Sequence, residues 1–215
     1  MAEDSGQTVL SSLFDHIIPL LPGMAQKLER GIRVLDVGCG RGRAMNLLAE
    51  KFPNSEFVGI DLSMEAITHA SNEARQKNLS NVTFIAKDLT RFDKEADLEQ
   101  FDWITTFDAV HDQAKPLAVL KGIARSLKQD GVYLMQDIHG SSHVHNNTDH
   151  PIGPLLYTIS CMHCMTVSLA QGGDGLGAMW GQEMAKQLLA EAGFGNVRIH
   201  QLEHDFQNDY YVITR

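Results

Sequence analysis

Apolar and polar positions change rhythm along this chain and divide it into short strands and amphipathic helices. Nearly continuous apolar runs, each closed by an acid or a polar turn, fall at 33–37, 56–61, 82–86, 102–107 and 131–137. Between them the apolar residues recur at three- and four-residue spacing over 43–52, 64–77 and 115–127. Met45, Leu48 and Phe52 share one face of the first of these helices, and Pro53 ends it. Leu117, Leu120, Ala124 and Leu127 repeat in the third, where Pro116 suits the first helical turn. Strands apolar on both faces, alternating with helices, predict a parallel sheet covered on both sides.

That rhythm breaks after residue 137. Residues 138–180 read as a His-, Asn- and Gly-rich loop, an apolar helix near 155–170, and a Gly-Gly-Asp-Gly-Leu-Gly loop. A regular helix at 182–192 ends at Gly193, suited to a left-handed cap. Runs at 196–203 and 209–214 predict two closing strands. At the other end, Val9, Leu10, Leu13, Phe14, Ile17 and Ile18 predict an amphipathic helix stopping near Pro19–Pro22. The expectation is one domain over 1–215, with a helical extension at 1–30 and an insertion at 138–181 that covers a site. A chain of 215 residues can bury a substantial core.

Composition narrows the partners. Hydrophobic content of 43% with 21% charged residues is that of an ordinary globular protein. A net charge of −9 leaves no electrostatic footprint for nucleic acid or an anionic bilayer, so neither is expected as a partner. No apolar run is long enough to span a membrane. The opening Met-Ala-Glu-Asp-Ser-Gly-Gln has no basic region of the signal-peptide kind. Three cysteines give no disulfide framework, and a cytoplasmic location is expected.

The most informative segment is Val34-Leu35-Asp36-Val37-Gly38-Cys39-Gly40-Arg41-Gly42. A strand runs into an acid and then into alternate glycines, so a ligand can lie directly on the backbone. The following helix aims its unpaired N–H groups at that ligand. Asp61 closes the second strand 23 positions after Gly38, where open parallel sheets place the acid that accepts from a ribose diol. The third glycine comes one position too early for the dinucleotide pattern G-x-G-x-x-G, and Asp36 would repel a diphosphate but attract a cation. An NAD(P)-dependent oxidoreductase is therefore the weaker reading of the loop.

Asp36-x-Gly38-x-Gly40-x-Gly42 resembles motif I of the class I S-adenosylmethionine (SAM) methyltransferases. Phe84-Ile85-Ala86-Lys87-Asp88-Leu89 resembles motif III, Phe101 to Asp108 resembles motif IV, and Leu127 to Val132 resembles the turn before strand five. The resemblance spans about residues 30–215. It implies a Rossmann-like α/β fold with a seven-stranded, mostly parallel sheet, an antiparallel terminal hairpin and helices on both faces. It implies SAM as cofactor, with S-adenosylhomocysteine as product. To the cofactor it assigns Asp36, Gly38, Cys39 and Gly40, then Asp61 and Leu62, Asp88 and Leu89, and Phe107. Asp88 would meet the adenine amino group. The helix around Cys161-Met162-His163-Cys164-Met165 is similar to a small-molecule group whose members usually carry a winged-helix domain before the core; about thirty residues stand there in this sequence.

His111 is the candidate general base. It follows strand four in the crevice where ligands bind in such sheets, and an imidazole pKa near 6.5 suits the role. Val110-His111-Asp112 resembles the Leu-His-Asp segment of plant-type small-molecule O-methyltransferases, whose histidine takes the substrate proton. The bland alternative is a histidine that only lines the pocket. Asp112 either orients it or begins the next helix. A small-molecule acceptor is expected against His111, Tyr157, Met165 and Trp180, with Met162 also in the wall. Cys161-x-x-Cys164 sits in an apolar helical pattern with no second ligand pair, so no metal is expected, and positions 161, 164 and 165 should face the core or the pocket. Three readings stand at this point: a methyltransferase, a non-catalytic SAM-binding protein, and an oxidoreductase. The sequence is neutral between monomer and homodimer.

Overall fold

Every apolar run read as a strand lies in one sheet of the computed structural model, which describes residues 6–215. The strands are β1 (Arg33–Val37), β2 (Glu56–Asp61), β3 (Val82–Ala86), β4 (Phe101–Phe107), β5 (Leu127–Ile138), β6 (Asn196–Leu202) and β7 (Asp205–Thr214). Their order is β3-β2-β1-β4-β5-β7-β6. The first five are parallel to their neighbours, and β7 runs antiparallel to both β5 and β6. The helices are α1 (Met24–Arg30), α2 (Arg43–Lys51), α3 (Met64–Gln76), α4 (Phe92–Glu95), α5 (Pro116–Ser126), α6 (Gly153–Ile159), α7 (Met165–Ala170) and α8 (Gly181–Glu191).

The pleat sends alternate residues of β1 to opposite faces. Val34 joins Phe57 and Trp103 on one face, where the N-terminal segment, α1 and α2 bury Leu13, Ile17, Leu28, Met45 and Leu48. Leu35 and Val37 join Ile104 and Tyr133 on the other, under Phe92 of α4, Leu120 and Ile123 of α5, and Leu189 of α8. Each such side chain contributes roughly 1.5–3 kcal/mol on burial. Two packed faces hold the sheet rigid and leave the carboxyl ends of β1, β2, β4 and β5 at one rim.

Four boundaries differ from expectation, each for a local reason. The N-terminal helix is broken into wide turns at Gly6–Leu10 and Leu13–Ile17 and a tight one at Ile18–Leu20. Pro19 and Pro22 lack the N–H a longer helix needs, and regular helix begins only after Gly23, at φ 76°. Residues 1–5 of the expected extension lie outside the described residues. β5 starts at Leu127, not 131, because Leu127 pairs with Phe101 and the Lys128 ammonium lies 2.9 Å from both oxygens of Asp102. β7 starts at Asp205, not 209. The buried Asp205 carboxylate accepts from Tyr210 Oη–H at 2.6 Å and from Asn208 Nδ2 at 2.9 Å, which tightens the hairpin. The apolar insertion helix is present over 153–170, with α6 and α7 joined by a wide turn at Ser160–Cys164.

Candidate active site

The loop after β1 is fixed by its backbone. Gly38 and Cys39 both donate to the Ile60 carbonyl of β2, at 2.8 and 3.1 Å. Gly38, Gly40 and Gly42 all take positive φ, at 76°, 52° and 65°. Their surroundings differ. A Cβ on Gly42 would come within 2.3 Å of the Phe84 ring, and one on Gly38 within 2.6 Å of Ala109 Cβ. Above Gly40 nothing lies within 4 Å, so this glycine faces open space. Gly40 N–H donates to Asp61 Oδ2 at 2.9 Å, while Ser63 N–H donates to Oδ1 at 2.8 Å. The ribose-type acid and the glycine loop are thus one hydrogen-bonded unit.

Asp36 is buried beneath this loop and accepts from Thr105 Oγ1–H at 2.8 Å. Burial pushes its carboxyl up to about 7, against the Thr105 hydrogen bond and with help from the Asp61 charge. A cation placed beside it would reverse that balance. The same burial, with Asp36 and Asp61 nearby, pushes the Cys39 thiol up, which keeps it protonated and unreactive. At the ends of β2 and β3, Leu62 and Ile85 are 54% and 46% exposed, an apolar surface beside the loop. Asp88 is exposed and accepts from Thr90 N–H at 2.9 Å. Leu89 instead packs into the core with Phe92 and Val110, so its side chain supports the strand ends from below. Phe107 is half-buried on the α2 face. Open space over Gly40, acids on either side and exposed apolar carbons fit a cationic nucleoside.

The β4–β5 side is built from buried side chains. His111 is 1% exposed, and its Nδ1 lies 2.6 Å from Asp137 Oδ1. Asp137 closes β5 in the interior; Trp180 Nε1–H and the Ile138 N–H also donate to Oδ1, at 3.0 and 2.9 Å. Its Oδ2 has no partner among the described residues. Asp112 lies 3.3 Å from the other ring nitrogen, Nε2. From the sequence Asp112 either orients His111 or begins the next helix; the shorter contact and the deeper burial belong to Asp137. The same rule that found Asp61, an acid at a strand's carboxyl end, would have found it. Burial alone would lower the His111 pKa, but the Asp137 charge and hydrogen bond, with Cys164 and Asp112, raise it well above 6.5. The unperturbed value expected from sequence is thereby corrected. Asp108, held at φ 48°, accepts from Gln136 Nε2 at 3.2 Å. Its carboxyl is pushed up to about 7 by burial and the Asp137 charge.

The insertion supplies the remaining walls. Cys164 is buried with its thiol within 4.8 Å of a His111 ring nitrogen, while Cys161 is exposed, contrary to the expectation for that position. Met165 is half-buried against Gly177. Tyr157 is half-buried, its hydroxyl accepting from Asn147 Nδ2 at 2.8 Å. Trp180 is buried in the core, so it holds Asp137 in place and does not line an open cavity. Met162 points outward at 76% exposure and is removed from the wall. Beyond the end of β5, a cleft of about 710 Å³ opens between the histidine-rich loop and the β6–β7 hairpin, lined by His139, Asn147, His150, Gln182, Glu203 and Phe206 among others.

Strand order excludes the dinucleotide fold, whose sixth strand lies beside the fifth in a parallel sheet; here antiparallel β7 is inserted between β5 and β6. Curated relatives include (S)-coclaurine N-methyltransferase of Papaver somniferum, 28% identical over 112 residues, which covers 52% of this chain and 31% of the relative. A tRNA (guanine-N(7)-)-methyltransferase of Porphyromonas gingivalis is 30% identical over 130 residues, covering 58% of this chain and 48% of the relative. The chain thus spans about a third to a half of the length of these relatives. A SAM-dependent methyltransferase from Aquifex aeolicus shares the fold at TM-score 0.62 and 18% identity, over 95% of this chain and 96% of the other. The methyltransferase domain family matches residues 28–193, from α1 through the cap of α8. On its strand order, its glycine loop and this match, the chain belongs to the methyltransferase domain family.

Proposed function

We propose that this chain transfers the methyl group of SAM to a small-molecule acceptor held between His111 and the insertion at 138–181, which acts as the lid. The observation that carries the reading is the Gly40–Asp61 unit, open above Gly40 and set over the buried Asp36. When bound, SAM supplies an electrophilic methyl on a sulfonium that departs as a neutral thioether. Everything else is work for the chain's own residues. Asp36 meets positive charge, Asp61 accepts from the ribose hydroxyls, and Asp88 with Leu62 borders the adenine. Positioning of this kind supplies roughly 7–11 kcal/mol in well-oriented reactions.

On the acceptor side, neutral His111 takes a proton at Nε2 from a hydroxyl acceptor. Asp137 accepts the Nδ1–H and so fixes the tautomer, and Trp180 holds Asp137. An acceptor already nucleophilic at neutral pH needs only the positioning. Relatives named as (S)-coclaurine and (S)-tetrahydroprotoberberine N-methyltransferases and as a ubiquinone biosynthesis O-methyltransferase support a small acceptor. The tRNA methyltransferase relatives favour RNA, and the net charge of −9 opposes it. Three free cysteines favour a reducing, cytoplasmic setting, and no helix among the described residues is long and apolar enough to cross a membrane.

Calorimetry with SAM, S-adenosylhomocysteine and NAD tests the cofactor, and methyl-labelled SAM with a metabolite extract tests transfer. One SAM per chain and a labelled small product are expected. Tight NAD binding without SAM heat would reverse the assignment, and stoichiometric SAM binding with no labelled product would favour the non-catalytic SAM-binding reading.

A further inference from the structure

The α6–α7 helix is inside out. Its buried face carries Gly153, Leu156, Ser160, Cys164 and Ser168, mostly small or polar, with Ser168 Oγ donating to the Gln113 carbonyl at 3.0 Å. Its solvent face carries Leu155, Ile159, Met162 and Leu169, all exposed. Residues 153–170 contain no Asp, Glu, Lys or Arg. An amphipathic helix of a soluble domain normally buries the opposite stripe. A helix that lies on lipid carries basic residues on its polar face, and here that face is inside the protein.

The exposed stripe also has a symmetry. Leu155, Thr158, Met162, Thr166 and Leu169 follow one another at intervals of three, four, four and three, the same read in either direction about Met162. The threonine hydroxyls are satisfied within the helix: Thr158 Oγ1 donates to the Pro154 carbonyl at 2.7 Å and Thr166 Oγ1 to that of His163 at 2.8 Å. Both threonines can therefore be covered without stranding a polar group. A two-fold interface requires a self-complementary surface.

We propose that this stripe is the interface with a second copy of this chain, the two helices running antiparallel across a two-fold axis at Met162. Met162 then meets its own copy, Leu155 of one chain meets Leu169 of the other, and Thr158 meets Thr166. The stripe exposes on the order of 500 Å² of apolar side chain per chain and on the order of 1,000 Å² for the pair, the size at which specific interfaces begin. The inner face of the same helix buries Cys164 within 4.8 Å of His111, so pairing also braces the proposed acceptor side of the site. The inference is independent of the methyl-transfer reading, because it is read from mass alone.

Sedimentation equilibrium on the full chain at about 1–100 µM tests it, with circular dichroism to confirm folding. The wild type is expected at dimer mass. Met162→Glu sets two carboxylates face to face and should raise the dissociation constant at least about a hundredfold, as loss of a central contact does. Leu98→Glu, at an exposed apolar residue outside the helix, should leave the dimer intact. Met162→Cys in a Cys161→Ser background should form an interchain disulfide under mild oxidation, which keeps the proposal testable should the glutamate variant unfold. A wild type monomeric at 100 µM, a dimer untouched by Met162→Glu, or a monomer that floats with phosphatidylcholine vesicles would overturn it.

Discussion

At the ends of β1 and β2 the groups at the rim are backbone: three glycines at positive φ, the Gly38 amide tied to the Ile60 carbonyl, that of Gly40 to the Asp61 carboxylate and that of Gly42 to the Cys39 carbonyl. At the ends of β4 and β5 they are side chains, the buried His111 imidazole with the carboxylates of Asp137, Asp112 and Asp108 around it. The first end is open above Gly40, and in the proposed reading it recognises the cofactor by shape and fixed dipoles. The second is closed, and its chemistry is set by desolvated charge. The difference suits a division of labour: one invariable cofactor can be met by a rigid backbone, whereas the acceptor must lose a proton or be aligned, which takes titratable groups under a lid. Variants that separate the two ends test this division.

The largest separation is expected at His111. With a hydroxyl acceptor, His111→Ala should cut turnover about 10²–10⁴-fold while SAM affinity changes little. Wild-type activity should rise with pH through a value above 6.5, because Asp137 raises the imidazole pKa and only the neutral ring accepts a proton. Asp137→Asn should move that limb back toward lower pH. Equal losses of turnover and SAM affinity would make His111 a pocket-lining residue and merge the two ends into one.

Asp61 is the converse test. Asp61→Ala should weaken SAM binding by roughly 2–4 kcal/mol, the loss of charged hydrogen bonds to a diol together with the Gly40 tether. Calorimetry reads this directly, and an unchanged affinity would remove Asp61 from the site.

The same contrast explains what the sequence could tell. Asp36, Gly38, Gly40 and Gly42 lie within seven residues and Asp61 in the next strand, so spacing along the chain is nearly spacing in the site. Six of the seven strands could be placed to within a residue or two at their site-facing ends, since strand ends are punctuated by glycine, acid or proline. β7 was the exception, its start carried to Asp205 by a buried carboxylate that no periodicity reports. The His111–Asp137 pair joins residues 26 apart, one in the turn after β4 and the other near the end of β5, and Trp180 reaches Asp137 across 43 positions. Such pairs follow from strand order and register, which one sequence does not display, so spacing alone offers only the neighbouring Asp112, either as the orienting acid or as the start of the next helix. The insertion helix misled for another reason. Tyr157, Met162 and Met165 share the apolar chemistry of a cavity wall, as does Trp180 just before α8, but one side of the helix faces the interior and the other faces solvent, and its stripes are reversed from the usual arrangement.

Two glycines of one loop give a smaller and sharper comparison. Gly42→Ala drives a Cβ into the Phe84 ring and should destabilise the fold by about 1–3 kcal/mol through overpacking and strain. Gly40→Ala meets open space, so only the left-handed backbone penalty of about 1–2 kcal/mol remains. Its Cβ would instead occupy the room expected for the cofactor. Urea midpoints should therefore rank Gly42→Ala below Gly40→Ala, while SAM affinity should fall more in the Gly40 variant than in the Gly42 variant. A reversed ranking would mean that the loop's packing and its ligand face have been exchanged.

Asp36 belongs to both ends, a titratable group under the backbone loop, and its effect is the smallest. Its folded pKa of about 7 lies above the ordinary 3.8, so the protonated form is the one the fold prefers. Its contribution to stability is fully present below about pH 4 and is lost as pH rises, the loss complete once pH passes about 7. Without ligand, Asp36→Asn should therefore flatten the decline in urea midpoint between pH 4 and 7. It should leave the variant more stable than wild type at pH 7.5 by on the order of 1 kcal/mol, less than full linkage predicts, because a buried carboxylate that ionises draws in water. Part of the decline should persist in the variant, since Asp108 shifts in the same direction. Saturating SAM should invert the order above pH 7: ionised Asp36 then faces a cation, and the amide has no charge to offer. If Asp36→Asn is less stable than wild type at pH 7.5 without ligand, the carboxylate is already ionised and paired in the free protein, and the cofactor end is less dependent on backbone than the loop geometry implies.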